Sequence, residues 1–158
     1  MTIRRADRPG DLGWVVMAHG EQYADEFGWD TTFEALVARI VADFGAAHDP
    51  AREAAWVAEV DGMRAGCVFC VAGDQTTARL RILLVTPAAR GQGVGAALVR
   101  TCVDFARDAE YTGMTLWTND VLSSARRIYQ AAGFELVTSE EHHSFGRDLV
   151  GQHWSLRL

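Results

Sequence analysis

Three glycines at alternate positions, Gly91, Gly93 and Gly95, stand between an apolar run, Leu80 to Val85, and a stretch with helical spacing that reaches about Ala109. Pro87 closes the run, and Arg90 precedes the first glycine. This order commits the chain to a strand, a sharp turn and a helix in direct succession. Glycines so spaced let successive backbone N–H groups converge on an anion, because no side chain blocks the approach. The helix that follows adds its own free N–H groups and its dipole. With the Arg90 guanidinium at the mouth, the segment suits a pyrophosphate.

The rest of the chain supplies a sheet for this unit. Ile3 to Ala6 reads as a first strand, and Asp11 is expected to cap a helix running to about Phe27. Thr31 and Glu34 form a capping-box pattern ahead of Phe33, Leu36, Val37, Ile40, Val41 and Phe44, a stripe of helical period. Trp56 to Val60 and Ala65 to Val71, separated by Asp61-Gly62, predict a β-hairpin. Met114 to Thr118 is a strand, and Ser123 or Ser124 begins a helix that Gly133 ends. Phe134 to Val137 resumes strand, Ser139 to Gly151 is a polar connecting segment, and Trp154, Leu156 and Leu158 alternate in a last strand. The order β-α-α-β-β-β-α-β-α-β-β predicts an α/β (α+β) fold, a mixed central sheet of about seven strands flanked by about four helices. Residues 1–158 contain no repeat or linker, so a single domain is expected.

A dinucleotide or a nucleoside triphosphate would also bring a pyrophosphate. Gly91, Gly93 and Ala96 satisfy the bare G-x-G-x-x-G/A spacing, but the turn comes late, after a hairpin, and the next strand ends on Asn119 rather than an acid. No Gly-Lys-Ser/Thr is present for a P-loop.

Composition narrows the partners. The formal net charge is −6, which argues against a nucleic-acid footprint and is compatible with a cationic substrate such as an amine. All fifteen basic residues are arginine, so no lysine of the chain can serve as a carrier. No apolar run approaches the roughly 20 residues of a membrane span, and the first residues lack a signal peptide's apolar stretch, so the expected location is cytoplasmic. Cys67 and Cys70, three apart on a strand, point to opposite faces and are read with Cys102 as core filler. No metal-ligand grouping emerges.

Arg90-Gly91-Gln92-Gly93-Val94-Gly95 resembles the Arg/Gln-x-x-Gly-x-Gly/Ala motif of the GNAT superfamily of N-acetyltransferases. Ala125 to Phe134, with Tyr129, Gly133 and Phe134, resembles that family's Ala-x-x-x-Tyr-…-Gly-Phe segment. The element order matches as well. Trp117 to Leu122, His142 to Gly146 and Asp148 to Gln152 are similar to the acetyltransferase half of bacterial MarR-type two-part regulators. The winged helix of those regulators has no counterpart here, so DNA binding does not carry over.

The resemblance implies an acetyl-CoA-dependent N-acetyltransferase acting on a small-molecule or peptide amine by direct attack. Leu83, Leu84 and Val85 would pair with the pantetheine arm, with a Val85 N–H facing the thioester oxygen. Gly91, Gln92, Gly93, Val94, Gly95 and Ala96 would seat the diphosphate beside Arg90, and Asn119 would stand in for the motif asparagine that Leu122 replaces. Tyr129 would protonate the leaving thiolate. A general base is less evident: Trp117 stands where some relatives carry glutamate, and Glu26 and Glu59 are the carboxylates available. The first two helices and the C-terminal loop roof the acceptor side in this family, which puts Trp14, Tyr23 and Trp29 at the substrate, unless they merely pack the helices on the sheet. The same residues also fit a sensor that binds acyl-CoA without turnover. Dimerisation, common among relatives, is left open by the residues.

Overall fold

The computed structural model describes residues 1–158. Its elements are β1 (Thr2–Arg5), α1 (Asp11–Phe27), α2 (Thr31–Ala46), β2 (Ala54–Val60), β3 (Met63–Ala72), β4 (Thr77–Val85), α3 (Val94–Asp108), β5 (Gly113–Asn119), α4 (Ser123–Ala131), β6 (Glu135–Ser144) and β7 (Arg147–Arg157). The seven strands form one sheet in the order β1-β2-β3-β4-β5-β7-β6. Every neighbouring pair is antiparallel except β4 and β5. The order expected from the sequence is the one found.

Each face of the sheet carries a core. Val15, Val37, Val41 and Phe44 of α1 and α2 bury Cys67, Phe69 and Leu84 on one side. On the other, Leu98, Val99 and Cys102 of α3 and Tyr129 of α4 cover Val68, Cys70 and Leu80. Cys67 and Cys70 thus fall in opposite layers, as the two-residue strand period requires. All three thiols are free and buried.

Asp61-Gly62 makes the β2–β3 turn with both residues at positive φ, 53° and 75°, the geometry that matches strand twist. A second turn of this kind, Phe145 at 58° and Gly146 at 78°, joins β6 to β7. The polar segment Ser139 to Gly151 is therefore a paired hairpin and not a connecting loop. Its edge strand, β6, is mostly exposed along its length, so no apolar alternation betrays it.

Two caps differ from expectation. Gly10, at φ 90°, precedes α1, and Asp11 is the first helical residue. The Asp11 carboxylate is fully buried and accepts from Arg4 Nη1 at 2.7 Å, Arg64 Nε at 2.9 Å and the Arg8 N–H at 2.9 Å. Those bonds, the Arg4 bond foremost, hold its pKa well below the usual carboxylate range. At α2 the cap is Asp30, which accepts the Thr32 N–H at 3.0 Å, one residue ahead of the Thr31 capping box.

Candidate active site

The site begins where a strand pair parts. β4 and β5 pair only at Thr77↔Gly113, Ala78↔Met114 and Arg79↔Thr115. Beyond that point β5 stays with β7 as far as Asn119↔Gly151, while Leu80 to Val85 lose their β5 neighbour. A bulge helps the separation. Cys67 pairs with Leu84 but Phe69 with Arg81, so β4 carries one extra residue there, and Ile82 takes φ 45°. Beyond the bulge the Thr86 N–H donates to Ala65 O, towards β3, at 2.8 Å. Strand alternation then turns the Val85 N–H and C=O into the opened seam. Gln22 of α1 donates to that C=O at 3.0 Å; the N–H is left as a donor in the gap.

The seam runs into the glycine turn. Gly91 and Gly93 have φ of 76° and 77°, and a Cβ on either would meet no atom within 4 Å. Their glycines answer to conformation, since L-residues are strained there. Gly95 is different: a Cβ would stand 2.6 Å from Ile128 Cδ1 and 3.3 Å from Val85 Cγ2, so this glycine lets α3 approach α4 and β4. Gly93 leads directly into α3 without a side-chain cap, which leaves the first-turn N–H groups for an anion. Arg90 at the rim pairs with Glu26 of α1. A cavity of about 470 Å³ joins these parts, lined by Leu83 to Val85, the glycine turn, Tyr23 and Glu26, and Val121 to Ala125. The backbone donors, the bare turn and the one cation fit the diphosphate and amide arm of coenzyme A. No metal-binding group of three or more His, Cys, Asp or Glu side chains occurs.

The other candidates fall unevenly. Tyr129 is buried edge-on to Phe134, with ring centroids 5.9 Å apart; burial raises its phenol well above the ordinary value and keeps it protonated. Ala125 and Ile128 of the same helix line the cavity, but Tyr129 does not. Glu26 is at the rim. Glu59 is elsewhere: Arg4 Nε donates to it at 2.5 Å and Arg8 lies 3.7 Å away, so it belongs to the ionic cluster around Asp11. Asn119 is buried and turned from the cavity towards His142, whose Nε2 is 2.8 Å from Asn119 Oδ1. Ser144 Oγ, 2.9 Å from Nδ1, completes the setting of that imidazole. The sequence reading missed Gln22; its only signal is the one-turn spacing that sets it on the same α1 face as Glu26.

The aromatic residues act mainly as a clamp. Trp29 is buried at 4% exposure, edge-on to Phe33 at 4.8 Å and 4.9 Å from Phe145. The Asp30 N–H donates to Phe145 O at 3.1 Å. Phe145, at the tip of the β6–β7 hairpin, is thereby fastened to α1 and α2. Trp14 packs against the core beneath those helices, so among the three aromatics offered for substrate only Tyr23 lines the cavity. His19, beneath Tyr23 and Phe33, has its Nδ1 2.7 Å from Val15 O and an Nε2 without a partner. Burial pulls its pKa down to about 4, so it is neutral.

A family model described as acetyltransferase (GNAT) domain matches residues 51–136. The chain is 38% identical over 103 residues to human N-acetyltransferase 8B, covering 62% of this chain and 45% of that protein. It spans about half the length of the curated relatives it matches. Among solved structures, ribosomal-protein-alanine N-acetyltransferase from Brucella melitensis superposes with a TM-score of 0.79 at 18% identity, covering 100% of both chains. An aminoglycoside 6'-N-acetyltransferase complexed with coenzyme A gives 0.74 at 16% identity, covering 99% of this chain and 97% of that one. At such identities the superpositions establish a shared fold.

Proposed function

Because the chain belongs to the GNAT acetyltransferase family, we propose that it moves an acetyl group from acetyl-CoA to a primary amine by direct attack. The observation that carries this is the Val85 N–H, directed into an opened strand seam that leads to a bare glycine turn at a helix start. Acetyl-CoA supplies an activated thioester. Leu83 to Val85 take its arm as an added strand, and the Val85 N–H donates to the thioester oxygen as charge builds there. Gly91 to Ala96 hold the diphosphate through backbone N–H groups, and Arg90 adds a cation that Glu26 keeps at the rim. Tyr129, held protonated by burial, is the donor of a proton to the departing sulfur. Glu26 takes the amine's proton, directly or through water. The narrower kinship with the acetyltransferase half of MarR-type regulators rests on the likeness of Trp117 to Leu122, His142 to Gly146 and Asp148 to Gln152.

A release assay for free CoA thiol against a broad panel of amines tests the proposal. Saturable turnover with at least one amine is the expected result. Acetyl-CoA binding without thiol release from any amine would instead establish the acyl-CoA sensor, a reading favoured by the exclusion of Tyr129 from the cavity lining. Absence of acetyl-CoA binding would sink both.

A further inference from the structure

Arg81 lies on β4 immediately before the bulge residue Ile82. Its β3 partner Phe69 belongs to the α1–α2 core layer, so Arg81 points to that same face. The guanidinium is half-buried and has no hydrogen-bond partner. Asp43 of α2 acts on it only through space, and Arg79, two residues back on the same face, repels it. Burial, and then Arg79, lower its pKa from the ordinary value. Other arginines drawn in from solvent are answered: Arg4 and Arg64 both donate to Asp11. A half-desolvated guanidinium without an anion is costly, and its planar fork of N–H groups matches a carboxylate.

Its position bears on the acceptor. The last β4–β5 pair is Arg79↔Thr115, so the next same-face residues on the two separating strands are Arg81 and Trp117. The Trp117 indole lies across Gly151, where a Cβ would be 2.8 Å from the ring. It also stands 5.3 Å from the imidazole of His142. The indole therefore leans towards β7 and away from β4. The glycine turn and α3 take the opposite face of the sheet, so an acceptor reaches Val85 from the face of Arg81, Trp117 and His142. Arg81 and Val85 are four residues apart, roughly 10–13 Å along the strand, so an arginine extended along the strand would bring its guanidinium within a small molecule's length of Val85.

We infer that Arg81 anchors a carboxylate of the acceptor, which is therefore a free amino acid or close analogue whose primary amine reaches the Val85 end of the seam. The inference rests on the acetyltransferase reading but has an independent readout. Calorimetry on the CoA-loaded protein compares L-phenylalanine, L-methionine and L-aspartate with their carboxamides, and L-phenylalanine also with phenethylamine. At least one acid is expected to bind about 10- to 100-fold more tightly than its neutral counterparts, the range of a charge-assisted bond. Arg81→Gln erases that preference, Arg81→Lys keeps part of it, and neither changes acetyl-CoA affinity. In turnover the loss falls on KM for the acid and spares kcat. The thermal midpoint of Arg81→Gln does not fall, because no internal bond is lost.

Neutral amines bound as well as the acids, equal loss for both classes in Arg81→Gln, or no acid bound at all would overturn the anchor. So would preference for a peptide amine over every free amino acid. Acid binding that depends on Arg81 but never releases thiol keeps the anchor and removes the transferase reading; rapid acetylation of the carboxamides does the reverse.

Discussion

The two faces of the seam are built by different means. On the α3 side the recognition surface is main chain: the Val85 N–H, two glycines at positive φ and a helix start. Side chains there mostly keep out of the way. On the α1–α2 side the surface is made of side chains drawn from distant segments, with Phe145 against Trp29 and Phe33, His142 against Asn119, and Trp117 against His142. A backbone cradle suits a ligand part that never changes, the diphosphate arm of coenzyme A. A side-chain wall can be rebuilt for a new acceptor without disturbing that cradle. The contrast teaches where this chain is generic and where it is particular.

Arg90→Glu should divide the two sides most sharply. Beside Glu26 it leaves two acids at the rim, and acetyl-CoA affinity should fall more than about 100-fold while the Trp29 environment, read by fluorescence, stays intact. Acid should do the opposite and attack the acceptor side first. His19 is held near 4 against an ordinary 6.5, so the folded chain binds fewer protons there than the unfolded one. Its contribution is complete above about pH 6.5 and is lost as pH falls towards 4, about 3 kcal/mol in all. Denaturation followed across that window should show this slope in the parent and little of it in His19→Gln.

Tyr129→Phe should lower kcat by about 10- to 100-fold, as expected of a general acid, with acetyl-CoA affinity kept. Unchanged turnover would leave Tyr129 as packing alone. Phe145→Ala should cost about 1–2 kcal/mol in chemical denaturation and raise the acceptor KM without touching cofactor binding. A matching loss of cofactor affinity would show the two sides to be coupled. Gly93→Ala should have the smallest effect on folding, about 1 kcal/mol of backbone strain, but should weaken acetyl-CoA measurably in calorimetry.

The strand, glycine turn and helix start of the α3 side were largely legible in the residues. Alternate glycines, Pro87 and the apolar run of β4 lie within one continuous segment, and their meaning depends on local backbone geometry. The Asp61-Gly62 hairpin and the opposed Cys67 and Cys70 were readable for the same reason. The α1–α2 side was not. Glu59 looked available until β1 brought Arg4 against it. Asp11 looked like a cap until Arg4 and Arg64 enclosed it. Trp29 looked like a substrate contact until the hairpin tip covered it.

Period, punctuation and backbone freedom are properties of neighbours along the chain, so the sequence by itself determined the element order, the layering and the bare glycine turn at a helix start. Which charges meet, which imidazole is fixed and which guanidinium is left without a partner depend on approaches between segments far apart in the chain. Arg4 meets Glu59 at a separation of 55 residues and His142 meets Asn119 at 23. Only the packed sheet, with β4 parted from β5 after Arg79 and Thr115, decided those pairings and left Arg81 without a hydrogen-bond partner.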